Sequence, residues 1–362
     1  MRGYDMFETF GFEDTTAREV SVLFGLGLGL AFGVLAQITR FCLRRALVGT
    51  DRRSAMGVWL TALAIAVIGT QGAVALGWIG FEDHRFLASG LPVLAIVLGG
   101  LAFGAGMVLT RGCVSRLTVL AGGGNLRALL VLLVFAVTAH ATLKGVLAPL
   151  RTGLGSLTVE LGNFTTLAAL PGGAPVWAAL IAAAALLYAL RSGAAPHSLI
   201  GAAAIGVLAA LGWVGTGFIL FDEFEPIAME SLSFTSPMSE TLFFTVASSA
   251  VPAGFGPALV GGVVLGALAA SLLRGEFAWQ SFDGPAQTGR YLAGAVLMGV
   301  GGVLAGGCTL GAGLSGVPTL SLAAILALAA IALGGIAMNA ILSRSLSGSG
   351  APRPIRPAQP AE

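Results

Sequence analysis

The stretch GGCTLGAGLSG, residues 306–316, stands at the end of an apolar run that is long enough to enter a membrane. Five of its eleven residues are glycine, and one is among the three cysteines of the chain. Clustered glycines let a backbone leave helical geometry. Irregular backbone within a membrane is tolerated only where it is buried in protein or lines a polar cavity. The stretch therefore predicts a break between a short helix and a return segment, facing a polar path.

The composition places this chain among polytopic, all-α membrane proteins. Of its 362 residues, 56% are hydrophobic and 10% are charged, whereas soluble domains carry roughly 25% charged residues. The first 20 residues lack a basic segment, so we expect no cleaved signal peptide. A GxxxxGK motif is also missing, which argues against ATP hydrolysis in this chain. We expect the lipid bilayer as a partner, no nucleic acid and no cofactor.

A transmembrane helix needs roughly 20 apolar residues, and the chain offers nine such runs, some of them short. The predicted spans are 20–39, 55–79, 93–110, 126–150, 175–190, 198–220, 256–273, 290–306 and 318–342. The segment 239–250 is too short to cross and is predicted as a half-helix.

The arginines predict the orientation of these spans. If the N-terminus lies outside, the inside segments contain fourteen arginines and the outside segments four. Cytoplasmic loops are enriched in basic residues, so we expect the N-terminus outside and the C-terminus in the cytoplasm. The acidic loop of Asp222, Glu223, Glu225 and Glu230 then falls outside, where it would repel an anion unless it lies away from the entrance.

An internal repeat is marked by glycine. A glycine stands nine residues before each of the three cysteines, and in a fourth copy nine residues before Gly215. These glycines are Gly33, Gly104, Gly206 and Gly299. The copies of Cys42 and Cys113 end toward the inside, and those of Gly215 and Cys308 toward the outside. Opposed halves are typical of inverted-repeat transporters, whose site lies where broken helices meet near the midplane.

The repeat divides the chain into five parts. We predict a polar N-terminal segment, a first repeat half, a connector with an extra transmembrane helix, a second repeat half and a disordered cytoplasmic tail. Their predicted boundaries are 1–19, 20–150, 151–197, 198–342 and 343–362.

Four roles are open for the cysteines Cys42, Cys113 and Cys308. The alternatives are small packing residues, ligands of a soft metal, a redox enzyme that passes a disulfide along, and recognition of a sulfur-containing anion. No CxxC spacing exists and no two cysteines share a helix turn. Because all three occupy one repeat position and none occurs elsewhere, we favour anion recognition: a polarizable sulfur suits a large, diffuse anion.

Other polar residues are weaker candidates. Lys144 lies within a predicted span, where an ionisable side chain suggests function, although it could also extend to the membrane surface. His140 is expected to be a hydrogen-bonded structural histidine. Arginines flank Cys42 and Cys113 but not Cys308. They would set the topology and could draw an anion toward the inner mouth.

The motifs RFCLRRAL at 40–47, TRGCVSRLTVLAGG at 110–123 and GGCTLGAGLSGVPTLSL at 306–322 resemble those of the YeeE/YedE family of bacterial inner-membrane sulfur transporters. The resemblance spans about 20–342. It implies nine membrane-spanning helices with shorter helices between them, uptake of thiosulfate, and a separate TusA-like sulfur carrier as a partner. It also implies a relay of the anion by the three cysteines. Ala312 departs from relatives that carry a larger polar residue there, which leaves sulfide or a selenium compound as alternative solutes.

We therefore predict a transporter rather than an enzyme, with a membrane-bound thiol oxidoreductase or sulfurtransferase as the alternative. No metal ligand or catalytic residue is assigned. The predicted solute-binding residues are Cys42, Cys113, Cys308, Lys144, Gly307, Thr309, Gly112 and Arg111.

Overall fold

The computed structural model describes residues 15–162, 164–222 and 225–348. Its α-helices are α1 Ala17–Thr39, α2 Leu43–Val48, α3 Arg52–Ala75, α4 Val93–Leu109, α5 Val114–Gly122, α6 Leu126–Lys144, α7 Ala148–Gly155, α8 Gly173–Leu190, α9 Pro196–Val214, α10 Thr235–Ala247, α11 Phe255–Leu273, α12 Pro285–Leu304 and α13 Leu322–Gly348. Two π-helical segments, Gly215–Ile219 and Thr309–Gly316, follow α9 and α12. Two short strands, β1 Gly90–Leu91 and β2 Val159–Glu160, pair antiparallel.

Within the described residues, nine helical segments are long and apolar enough to cross a membrane, which confirms the all-α polytopic prediction. The predicted span 126–150 was too long, because α6 ends at Lys144 and α7 begins at Ala148. The predicted half-helix appears as α10, whose 13 residues extend about 20 Å at 1.5 Å per residue. Helix α13 continues to Gly348, past the predicted start of the tail, and residues 349–362 lie outside the described residues.

The repeat glycines lie where helices approach one another closely. Gly33 packs against α11, Gly206 against α3, Gly104 against α13 and Gly299 against α6. A methyl group added at Gly104 would lie 2.6 Å from the amide nitrogen of Gly335, so only glycine permits this approach. Each of the four helices that carry a copy of the repeat thus packs against a helix of the other half that carries no copy. The inverted repeat itself stays a prediction, and this arrangement is the packing that it would produce.

Helices α4 and α12, which carry the second and fourth copies, pack against each other directly. A methyl group at Gly99 would lie 2.5 Å from Ala305 N, and one at Gly106 would lie 2.5 Å from Gly294 O. The numbering rises on one helix as it falls on the other, so the two helices are antiparallel. Both helices end at a break close to a cysteine, and because the helices are antiparallel these two ends lie at opposite ends of the packed pair.

Candidate functional site

The chain breaks in the same way before each cysteine. The residue two positions before the thiol has a left-handed backbone: Arg40 with φ 52°, Arg111 with φ 61° and Gly306 with φ 75°. This conformation ends the preceding helix. The break predicted from the 306–316 stretch is therefore present. The fourth copy differs, because α9 passes without a left-handed residue into the Gly215–Ile219 segment.

Each cysteine then starts the next short helix. Cys42 is the N-cap of α2, Cys113 the N-cap of α5, and Cys308 the N-cap of the Thr309–Gly316 segment. The Cys308 sulfur accepts a hydrogen bond from the amide of Gly311 at 3.4 Å. Amides at a helix N-terminus carry a partial positive charge, so the backbone at Cys113 and Cys308 favours an anion, whereas α2 after Cys42 has only six residues.

The three breaks converge. The Cys113 thiol contacts the Cys42 thiol and the side chains of Ser115 and Thr309, with 3.1 Å between Cys113 Sγ and Ser115 Oγ. All three cysteines are free thiols, with exposed fractions of 8% for Cys42, 1% for Cys113 and 0% for Cys308. We call Cys42, Cys113 and Thr309 the cysteine junction; the N-termini of three short helical segments meet there.

The Thr309 hydroxyl is the least satisfied polar group of this junction. It is fully buried and lies toward the Cys113 thiol, yet it makes no hydrogen bond of good geometry. An unpaired buried hydroxyl costs about 1–3 kcal/mol. A solute that accepted a hydrogen bond from this hydroxyl would recover that energy; the solute-binding role of Thr309 stays a prediction.

Predicted residues next to the thiols shape the breaks. Gly307 lies against the following π segment, where an added methyl group would be 2.8 Å from Ala312 N. The Gly112 carbonyl accepts a hydrogen bond from the Thr110 hydroxyl at 2.9 Å. Arg111 supplies the left-handed residue before Cys113. These residues therefore lie at the breaks and fix their backbone.

Two arginines accompany the Cys42 and Cys113 breaks. Arg45 donates to the carbonyl of Arg40 at 3.3 Å and also pairs with Asp51, which lowers the pKa of that carboxyl. Arg116 lies near both thiols and donates to the Ala36 carbonyl at 3.4 Å. Positive charge is thus concentrated beside these two cysteines, as the sequence predicted.

A cavity of about 280 Å³ lies beside the Thr309–Gly316 segment. Its walls come from the loop between α3 and α4, the loop before α10, and the Thr309–Gly316 segment. Its lining includes His84, Arg85, Glu230, Ser233, Gly311 and Ser315. We call it the Arg85 cavity.

Arg85 corrects the sequence analysis. Its guanidinium donates to the Gly306 carbonyl at 2.9 Å and acts electrostatically on Cys308, so this thiol has an arginine nearby although none flanks it in the sequence. A separation of 221 residues hides the contact. The only signal for this contact in the sequence was that Arg85 lies on the predicted outer side, where the positive-inside bias leaves few arginines.

Glu230 of the acidic loop also lines the Arg85 cavity. Glu223 lies outside the described residues. Burial raises the pKa of Glu230 to about 7, and the nearby Glu240 contributes in the same direction.

Lys144 and His140 lie elsewhere. Lys144 is exposed at the end of α6 and interacts with Glu240 rather than with the cysteine junction. The His140 ring lies 2.9 Å from the Ser239 hydroxyl and stacks on Phe243. His140 is hydrogen-bonded, as predicted.

Comparison with known proteins identifies the family of this chain. The model of the sulphur-transport family matches residues 36–337. A thiosulfate transporter TsuA of Spirochaeta thermophila is 28% identical over 83% of this chain and 92% of its own length. A thiosulfate transporter TsuA of Escherichia coli is 27% identical over 77% of this chain and 83% of its own. The match covers all three breaks, and the chain belongs to the sulphur-transport family of membrane transporters, which the motifs had indicated as YeeE/YedE.

Proposed function

We propose that this protein takes up thiosulfate, or a closely related sulfur anion, across the bacterial inner membrane by passing it between three thiols. The single observation that carries the proposal is the cysteine junction, where the Cys113 thiol contacts both the Cys42 thiol and the residue after Cys308. The relatives named for thiosulfate transport support the solute.

The anion would enter from the Arg85 cavity, reach Cys308 and Thr309, and then meet Cys113 and Cys42. At Cys308 the sulfur already accepts the Gly311 amide proton, which leaves its S–H free to donate to the solute. A thiol is a weak donor. Weak, repeated sites suit transport, because a solute must leave each site as readily as it enters.

The positive-inside bias supports an orientation with the N-terminus outside and the Cys42 end of the path in the cytoplasm. Arg116 and Arg45 would then receive the anion at the inner end. A separate TusA-like carrier, which the family resemblance suggests, would collect the sulfur there.

A thiol oxidoreductase or sulfurtransferase is the competing function, and one observation favours it. Cys42 and Cys113 are distant in sequence but their thiols are in contact, so they are the pair that a catalytic disulfide would join. A turnover that used this disulfide would need a reductant, whereas a relay of neutral thiols would not.

Labelled thiosulfate uptake into proteoliposomes, with and without reductant, separates the two functions. We expect uptake in the absence of reductant and no mixed disulfide on the protein. Competition by unlabelled sulfide and selenite would rank the alternative solutes. Uptake that stops after one turnover per protein without reductant would favour the enzyme.

A further inference from the structure

The Arg85 cavity is lined by a cation, Arg85, and by a buried acid, Glu230. Arg85 attracts an anion, whereas an ionised Glu230 repels it. A dianion that approaches Arg85 must also approach Glu230, because the two side chains interact across the same cavity. In a partly buried site like charges repel strongly. An ionised Glu230 would therefore cancel much of the attraction that Arg85 provides.

Both groups are held in place by the backbone. Arg85 is anchored on the Gly306 carbonyl. At Glu230 the main-chain N–H and C=O both bind the Thr216 hydroxyl, at 2.9 and 2.7 Å. Among the described residues, Arg85 and Glu230 form no ion pair within 4.0 Å. The carboxyl group thus remains available in the cavity instead of neutralising the guanidinium by direct contact.

We propose that the Arg85 cavity admits the sulfur anion together with a proton, which Glu230 binds as the anion binds Arg85. This inference rests on the proposed function and extends it to the entry step. A protonated carboxyl group no longer repels the anion and can donate its O–H to an anion oxygen. The proton comes from the solvent on the cavity side and returns there when the anion leaves the cavity for Cys308.

The surroundings of Glu230 favour this proton. Burial and Glu240 of α10 raise the Glu230 pKa to about 7, while Arg85 acts in the opposite direction. The other charged groups of the cavity wall are Asp83 and His84. Burial lowers the pKa of His84 to about 4, so it stays neutral in this range. Beyond them, Lys144 of α6 acts on Glu240. A bound dianion raises the pKa of Glu230 further.

Linkage predicts the size of the effect. If the anion binds only when Glu230 is protonated, the apparent Kd rises tenfold for each pH unit above the Glu230 pKa and is constant below it. Thiosulfate stays a dianion throughout this range, so its own titration does not contribute.

The experiment measures thiosulfate binding to the purified full-length protein by calorimetry between pH 6 and 8.5, in two buffers of different ionisation enthalpy. We expect close to one proton taken up per anion above pH 7.5. Glu230→Gln should remove the proton uptake and make the Kd independent of pH. Glu82→Gln, an exposed acid on the Arg85 loop, is the matched control and should keep the wild-type profile.

The proton count on the wild type requires no variant, so the proposal can be tested even if Glu230→Gln does not fold. Thiosulfate binding without proton uptake at any pH would overturn it while leaving the proposed function intact. A Glu230→Gln variant that keeps the wild-type pH profile would overturn it as well. A wild-type protein that neither binds nor transports thiosulfate would instead contradict the proposed function.

Discussion

The break before Cys308 and the breaks before Cys42 and Cys113 share one backbone geometry but differ in their residues. Arginine stands two positions before and three positions after both Cys42 and Cys113, whereas both positions are glycine around Cys308. The left-handed residue is thus arginine at two breaks and Gly306 at the third.

This difference shows two ways of bringing a cation to a broken helix. A left-handed conformation costs a non-glycine residue roughly 1–2 kcal/mol, and Arg40 and Arg111 accept that cost locally. At the third break glycine adopts the conformation freely, and the cation comes from Arg85 on a distant loop. Local arginines are permanently present, whereas Arg85 depends on the loop that holds it.

Cys113→Ala should have the largest effect, because this thiol joins the two kinds of break. It contacts Cys42 on one side and Thr309 on the other. Loss of a donor to a charged solute costs about 1.5–3 kcal/mol, so we expect uptake to fall by roughly ten- to a hundredfold. Labelled thiosulfate uptake in proteoliposomes measures it.

The matched control is Thr118→Val, which alters a buried side chain of the same short helix whose hydroxyl bonds only locally to Val114. It should transport normally. Wild-type uptake by the Cys113→Ala, Cys308→Ala double variant would contradict the relay.

Arg111→Gly tests the breaks at which a neighbouring arginine supplies the positive charge. The substitution relieves roughly 1–2 kcal/mol of left-handed strain, offset by about 0.5–1 kcal/mol of added chain entropy. We expect an unfolding temperature equal to or slightly above that of the wild type, together with uptake reduced by roughly tenfold through lost attraction. Arg52→Gly, exposed at the start of α3, removes the same charge elsewhere. If both variants lose uptake equally, the position of Arg111 beside the break is irrelevant.

Gly306→Ala tests the third break, at which glycine adopts the left-handed conformation. An added methyl group at this residue meets no atom within 4 Å, so the expected loss of roughly 1–2 kcal/mol in the free energy of unfolding comes from the backbone alone. The control is Gly289→Ala in α12, the helix that precedes this break; its methyl group also meets no atom within 4 Å, and the stability of this variant should be unchanged or higher. Thermal unfolding in detergent compares the stability of the two variants. Equal stability would show that the break does not require glycine at position 306.

The sequence predicted nine spans and the break at 306–316, because these depend on local composition and spacing; only the span 126–150 was too long. It also singled out the cysteines, since they share one repeat position. It did not predict that Cys42 and Cys113 touch, or that Arg85 reaches Gly306. Such contacts depend on how distant helices pack. The placement of Lys144 was ambiguous for a different reason: a long side chain near a helix end fits either the path or the surface.

The smallest expected effect concerns the loop that carries Arg85. The preceding residue, His84, accepts a hydrogen bond from Phe86 N at 3.3 Å and packs edge-on against Trp213. Its backbone partner on the other loop is Met229. Burial lowers the pKa of His84 from 6.5 to about 4, so the fold favours the neutral ring. A base with a depressed pKa in the folded state stabilises the fold above its unfolded pKa and loses that contribution as the pH falls from 6.5 toward 4.

Acid should therefore loosen the loop that carries Arg85, whereas Arg40 and Arg111 at the other two breaks stay in place. We expect the unfolding temperature of the wild type to drop between pH 6.5 and 4, and His84→Phe, which keeps an aromatic ring but cannot bind a proton, to drop less. His197→Gln, exposed in the first turn of α9, should follow the wild type. Because acids titrate near the lower limit too, the informative quantity is the difference between variant and wild type at each pH. A constant difference across this range would mean that His84 does not couple the loop to pH, and the contrast between the two kinds of break would then concern only where the arginine comes from.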